Sequence, residues 1–212
     1  MFKKLKRISH YFYYLFQLYE IFFANLPEQT KDSIIEICEP FTKNDSNSLS
    51  LDLGCGNNPK NPFNAKKVYG LDLFDNKDLN IQFCKLGFVK LPFDDNHFDY
   101  ITAFDLIEHI PRYYENCPEG NTPFIFLMNE IWRVLKNEGI FLSHTPIYPF
   151  PEVFQDPTHN NFLTSDTFKI YFSDQKNLLA TSYGIKSNFK ILKDKMRYRH
   201  QVILMQKTST NT

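Results

Sequence analysis

Apolar and polar positions along this chain change period several times, and each change marks an element. A basic start (Lys3, Lys4, Lys6, Arg7) runs into an aromatic-rich stretch from Tyr11 to Phe23. Residues roughly 2 to 39 read as helical, broken near Pro27, with Glu28 to Cys38 as a second short helix. The polar run from Thr42 to Asn47 reads as a loop. Short apolar runs then recur at Ser48 to Leu53, Val68 to Leu71, Ile81 to Cys84 and Tyr100 to Phe104, each strand-sized and bounded by turn residues. From about Pro123 to Leu135 the spacing becomes helical, with Ile125, Leu127, Met128, Ile131, Trp132 and Leu135 on the apolar side. Asn137-Glu138-Gly139 is a stop signal, and Ile140 to Ser143 gives the next strand. Phe189 to Leu192 and Gln201 to Met205 close the chain as a hairpin. Strands separated by crossovers predict an α/β fold with a doubly wound, mostly parallel sheet, to which the hairpin adds a strand of opposite sense. Residues 1–40 are expected as a helical segment packed on the core, and 41–212 as the main domain.

Composition narrows this picture. A chain of 212 residues can bury a core without disulfide help. Lys+Arg and Asp+Glu both number 24, so no global field draws it to nucleic acid, and none is expected as a partner. The four cysteines (Cys38, Cys55, Cys84, Cys117) are scattered, which reads as separate reduced thiols in a cytoplasmic protein; no metal site is evident. Gln17 and Glu20 interrupt the N-terminal aromatic run, which is too short and polar for a signal peptide or a transmembrane span. The preferred reading is a helix packed on the domain, or on a second copy in a homodimer, ahead of a membrane-surface anchor.

The candidate chemistry begins at Leu51-Asp52-Leu53-Gly54-Cys55-Gly56, where a buried strand breaks into two glycines one residue apart. Such a turn lets the backbone approach a ligand where side chains would otherwise stand. Sixteen residues beyond Gly56, the next strand ends in Asp72, a spacing close to that of an acid holding a ribose diol. A nucleoside ligand follows. Three further pieces come in order: Leu91-Pro92-Phe93-Asp94-Asp95-Asn96-His97-Phe98-Asp99, Phe104-Asp105-Leu106-Ile107-Glu108-His109-Ile110-Pro111-Arg112, and Glu130 to Gly139. Together these resemble the class I S-adenosylmethionine-dependent methyltransferases, over roughly residues 48 to 146. The resemblance implies a Rossmann-like sheet and S-adenosylmethionine as cofactor, with S-adenosylhomocysteine as product. It also implies a cofactor site of Asp52, Gly54, Cys55, Gly56, Asp72, Leu73, Leu86, Phe104 and Asp105. In it the Phe104 carbonyl seats the cofactor's ammonium, and Asp52 either orders the glycine turn or faces that ammonium through water. Two departures stand out. Asn57-Asn58-Pro59 replaces the family's third glycine and leaves little room for a helix. Lys85 stands where the family has an acid near the adenine, so backbone around Leu86 must serve.

On the acceptor side, proline-punctuated loops rich in His, Asp and Tyr follow the fifth strand (144–151 and 155–162) and suit a pocket rim. His159 is the favoured general base, oriented by Asp156, and His109 is a further candidate. The competing reading makes Asp156 and Thr158 an Asx turn that His159 merely caps. Glu108 and His109 would then brace their loop, and His144 would be a core or edge histidine. A small polar acceptor fits best, a sugar or surface-glycan precursor by resemblance. The alternatives are a non-catalytic cofactor-binding partner subunit and an NAD-dependent oxidoreductase.

Overall fold

The computed structural model describes residues 11–19, 26–43, 45–115, 122–174 and 178–208. Seven strands form one sheet in the order β3-β2-β1-β4-β5-β7-β6. They are β1 (Leu49–Leu53), β2 (Lys67–Asp72), β3 (Ile81–Phe83), β4 (Phe98–Phe104), β5 (Leu135–Pro146), β6 (Phe189–Arg197) and β7 (His200–Lys207). The first five pair in parallel, and β7 runs antiparallel between β5 and β6. The doubly wound sheet and the closing hairpin are therefore present. Strand order reverses between β1 and β4, so their carboxyl ends open the crevice where such sheets bind ligands.

The two faces of the sheet are covered differently. On one, α3 (Pro123–Val134) lays Phe124, Leu127, Met128, Ile131 and Val134 on Phe98, Ile101 and Phe141, the spacing of one apolar stripe. Trp132 lies half-buried beside this core and donates its indole N–H to the Asn188 carbonyl, so both it and Met128 are packing residues. On the other face, Ile37 and Cys38 of α2 (Ile34–Cys38) join Phe63, Tyr100, Leu142 and Leu204. Residues 54–66 cross from β1 to β2 without a helix, as the two prolines imply. Phe63 takes the helix's place and stacks on Tyr100 with ring centroids 4.3 Å apart.

Three expectations change. Strand β5 begins at Leu135, before the stop signal, because the N–H groups of Asn96 and His97 cap the Arg133 and Val134 carbonyls and end α3 there. Asn137 to Gly139 fall within β5 at a register irregularity between the Leu135 and Ile140 pairings, with Glu138 left-handed. Residues 28–30 are not helical: Met196 N–H donates to the Glu28 carbonyl and Thr30 N–H to the Met196 carbonyl, which lays this segment along β6. The second helix shrinks to α2, started by a capping box in which Ser33 and Glu36 exchange hydrogen bonds. Ile37 and Cys38 of α2 are buried, while the residues of α1 (residues 11–19) are all exposed; residues 1–10 and 20–25 lie outside the described ones.

Candidate functional site

The glycine turn after β1 has the geometry its sequence requires. Gly54 and Gly56 sit at φ 63° and 56°, a region disfavoured for side-chain-bearing residues. A Cβ on Gly54 would also stand 2.8 Å from Leu106 Cδ1, whereas Gly56 opens onto free space. Asp72 holds the turn closed: its Oδ2 accepts from Gly56 N–H at 2.7 Å and its Oδ1 from Leu73 N–H at 2.7 Å. Each oxygen keeps a further acceptor site, so the half-buried carboxylate can still take two hydroxyl donors. Asp52 orders the loop. Its Oδ1 accepts from the Thr102 hydroxyl at 2.6 Å and its Oδ2 from Lys60 N–H at 2.8 Å, almost fully buried. Burial pushes its carboxyl up to about 6. Cys55 turns its thiol inward over Gly70, where an added Cβ would lie 2.5 Å from Sγ, and burial holds that thiol protonated, up to about 12. Only the Cys55 backbone remains to face a ligand.

Beyond the turn lies a cleft of about 680 Å³ whose walls include Gly54, Asp72, Leu73, Leu86, Leu106 and His109. Lys85 lines it where an acid was wanted. The Leu86 N–H donates to the Cys84 carbonyl, so Leu86 offers the cleft an apolar side chain and not a free amide. An aromatic pair, Phe88 and Tyr114, meets edge-to-face at 5.0 Å, and both rings line the cleft. A carboxylate beside a bare glycine turn, continued by an apolar and aromatic wall, suits a nucleoside with a planar base.

At the end of β4, Phe104 lies half-buried with the Lys60 ammonium 4.7 Å above its ring. Asp105 follows in a left-handed conformation (φ 49°), with its carboxylate between two imidazoles. His144 Nδ1 is 3.1 Å away and His200 Nε2 3.4 Å. Desolvation alone would raise the Asp105 carboxyl, but the His144 hydrogen bond and the neighbouring imidazoles outweigh it and the net shift is downward. His200 is shifted down, chiefly by burial and then by His144. Asp105, His144 and His200 bring three potential metal-ligand atoms within 4.8 Å. The two rings, however, stack parallel at 4.6 Å and 7°, and parallel rings cannot aim their in-plane lone pairs at one ion. This group is a hydrogen-bonded carboxylate with two imidazoles.

The loop after β5 brings the three candidate catalytic residues together, but not as the sequence implied. The Asp156 carboxylate does not orient the His159 ring; the contact between the two residues is the His159 backbone N–H donating to the Asp156 carbonyl at 3.1 Å. Asp156 Oδ1 accepts from the Thr158 N–H at 2.8 Å and the Thr158 hydroxyl at 2.6 Å, an Asx turn. His159 Nδ1 instead lies 3.0 Å from the Val153 carbonyl, and its ring meets His109 edge-on at 4.7 Å. Since Thr158 gives its one hydroxyl proton to Asp156, its oxygen accepts from His109 Nδ1 at 3.0 Å. His109 is thereby fixed with its proton on Nδ1 and a lone pair on Nε2, on the wall of the cleft. Glu108 braces this corner. Its carbonyl accepts from Asn160 and Asn161 N–H, and its carboxylate accepts from the Thr145 hydroxyl at 2.7 Å. Burial raises the Glu108 carboxyl. Arg112 completes the clamp by donating to Asn161 Oδ1 and the Phe162 carbonyl. Sequence reasoning passed over Thr158 as a link and His200 altogether. The first had a signal, the Asx turn, while His200 depends on a strand register that periodicity does not give.

Residues 51–143 match the family model described as a methyltransferase domain. The same residues carry the glycine turn, Asp72 and the β4 exit. Over these residues the chain is similar to a methyltransferase domain, in keeping with its resemblance to the class I S-adenosylmethionine-dependent methyltransferases. Among curated proteins, this chain is 27% identical over 159 residues to the uncharacterized protein MJ0638 of Methanocaldococcus jannaschii, covering 68% of this chain and 64% of that one. The chain therefore spans under two thirds of the relative's length. Among solved structures it resembles the YcgJ protein of Bacillus subtilis (TM-score 0.53, 12% identity, 83% of this chain and 98% of that one). It also resembles a putative methyltransferase of Bacillus halodurans (TM-score 0.50, 17% identity, 83% and 97%). At these identities the structural likeness speaks for the fold. The similarity implies S-adenosylmethionine as cofactor, and the residues present fit it: Asp72 keeps acceptor capacity for a ribose diol, and the turn at Gly56 leaves no Cβ in the way.

Proposed function

We propose that this protein moves the methyl group of S-adenosylmethionine to a hydroxyl or amine of a small polar acceptor, with His109 as the general base. The observation that carries this reading is the chain Asp156–Thr158–His109, which puts the His109 proton on Nδ1 and leaves the Nε2 lone pair on a side chain that lines the cleft. Bound cofactor supplies an electrophilic methyl on a sulfonium. The acceptor heteroatom forms the new bond to that carbon as the sulfur–carbon bond breaks, and its proton passes to His109 Nε2. Imidazolium on His109 is stabilised through Thr158 by the Asp156 carboxylate, whose own pKa is lowered by the hydrogen bonds from Thr158. His159 shapes the pocket beside it. The Asp105–His144–His200 group and Lys60 add polar contacts suited to a hydroxyl-rich acceptor such as a sugar precursor. A dinucleotide is poorly served, because no helix follows the glycine turn in residues 54–66 to receive a pyrophosphate.

Labelled-methyl transfer to a panel of sugar, amine and small-acid acceptors tests the reading. His109→Gln is expected to lower kcat by roughly 10²-fold or more while leaving S-adenosylhomocysteine affinity nearly unchanged. His159→Ala is expected to cost less turnover than His109→Gln. The reverse ranking would return the base to His159. Cofactor binding without transfer to any acceptor would favour a binding-only subunit.

A further inference from the structure

Helix α1 carries eight aromatic or aliphatic side chains, Tyr11 to Phe16 with Leu18 and Tyr19, each 44% to 65% exposed. Successive helical residues turn by about 100°, so residues 11 to 14 alone already point to all quarters of the helix. A helix resting on its own domain would show one covered stripe; along α1 no side is covered. So much apolar area gathered on one element marks an interaction surface.

Charge indicates what covers it. Residues 1–19 contain Lys3, Lys4, Lys6 and Arg7 and no acid, the first being Glu20. Lys+Arg and Asp+Glu are both 24 in the whole chain, so residues 20–212 hold 20 basic and 24 acidic side chains, a balance of −4 against +4 in the arm. We propose that this arm docks the protein on an anionic lipid bilayer, with α1 lying in the headgroup region. Tyrosine and phenylalanine rings favour that boundary, where an apolar body and a polar tip are both satisfied. The cations meet the negative leaflet, each improving partitioning by about five-fold, from roughly 1 kcal/mol per residue near the surface. No helix among the described residues is long and apolar enough to cross a membrane. Pairing with the arm of a second copy would set four cations against four. The acidic remainder gives the body no attraction of its own to an anionic surface, so the arm decides which side faces the lipid.

The test is co-sedimentation of the full chain with vesicles of mixed phosphatidylserine and phosphatidylcholine, and with phosphatidylcholine alone. Binding to the mixed vesicles is expected, weakened by high salt. Combined replacement Lys3→Glu, Lys4→Glu, Lys6→Glu and Arg7→Glu should reduce it by about 600-fold or more, four cations at five-fold each. A Phe12→Ser, Tyr13→Ser, Phe16→Ser variant should also lose binding. In both variants Tm and S-adenosylhomocysteine affinity should be unchanged, since α1 does not line the cleft. Wild-type protein left in the supernatant, or binding untouched by charge reversal, would overturn the proposal. So would arm-dependent dimers in light scattering without vesicle binding, which would assign the helix to a second copy.

Discussion

Asp52 is a buried carboxylate held at about 6 because desolvation outweighs its two hydrogen bonds. An acid whose folded pKa lies above its unfolded value binds protons in the native state first. The native state is therefore favoured as pH falls through that window and disfavoured as pH rises through it. Relative to Asp52→Asn, the wild-type protein should gain about 1 kcal/mol of stability between pH 7 and pH 5, read from denaturant unfolding at both values. A flat difference would show that Asp52 ionises in the native state as it does in water. The two glycines of the turn should separate likewise. Gly54→Ala combines a left-handed backbone with the Leu106 contact and should cost more than the roughly 1–2 kcal/mol of backbone strain alone. Gly56→Ala, with open space, should cost only that strain. The need for both glycines was legible in the sequence. The inward thiol of Cys55 and the Thr158 link between Asp156 and His109 were not, because each depends on a tertiary neighbour.

The elements depart from the periodic reading wherever a distant segment supplies the missing hydrogen bonds. Helix α3 stops at Val134 because Asn96 and His97 cap it, although Leu135 continues the apolar spacing. Residues 28–30 lie along β6 although their composition suits a helix. The helix-less first crossover, by contrast, was visible in Pro59 and Pro62. Phe63 is fully buried on that face against Tyr100, so Phe63→Ala should destabilise by about 3–5 kcal/mol, a large cost for a loop residue. The clamp on residues 156–162 makes a different prediction. Arg112→Ala should raise the acceptor KM and leave S-adenosylhomocysteine affinity intact, because Arg112 secures only the acceptor-side loop. Equal loss of both affinities would mean that the loop also shapes the cofactor cleft.

At the scale of the molecule, strand order reverses between β1 and β4, and the chemistry gathers at the carboxyl ends of the strands. His109, His144, His159 and His200 come from four separate stretches of sequence and form two ring pairs there. The residues proposed for the cofactor half of the crevice are close in sequence and constrained by backbone geometry, so a linear reading can name them. The half proposed for the acceptor is assembled from loops and from the antiparallel β5–β7 register, which sets His144 beside His200. Its chemistry emerges only when the sheet is closed. Both halves depend on a nucleoside being held between the glycine turn and Asp72. The most direct measurement is titration calorimetry of S-adenosylhomocysteine into the folded protein and into Asp72→Ala. Saturable binding by the wild type and its loss in the variant are expected. No heat from the folded wild type, or equal affinity in the variant, would contradict the assignment of this cleft.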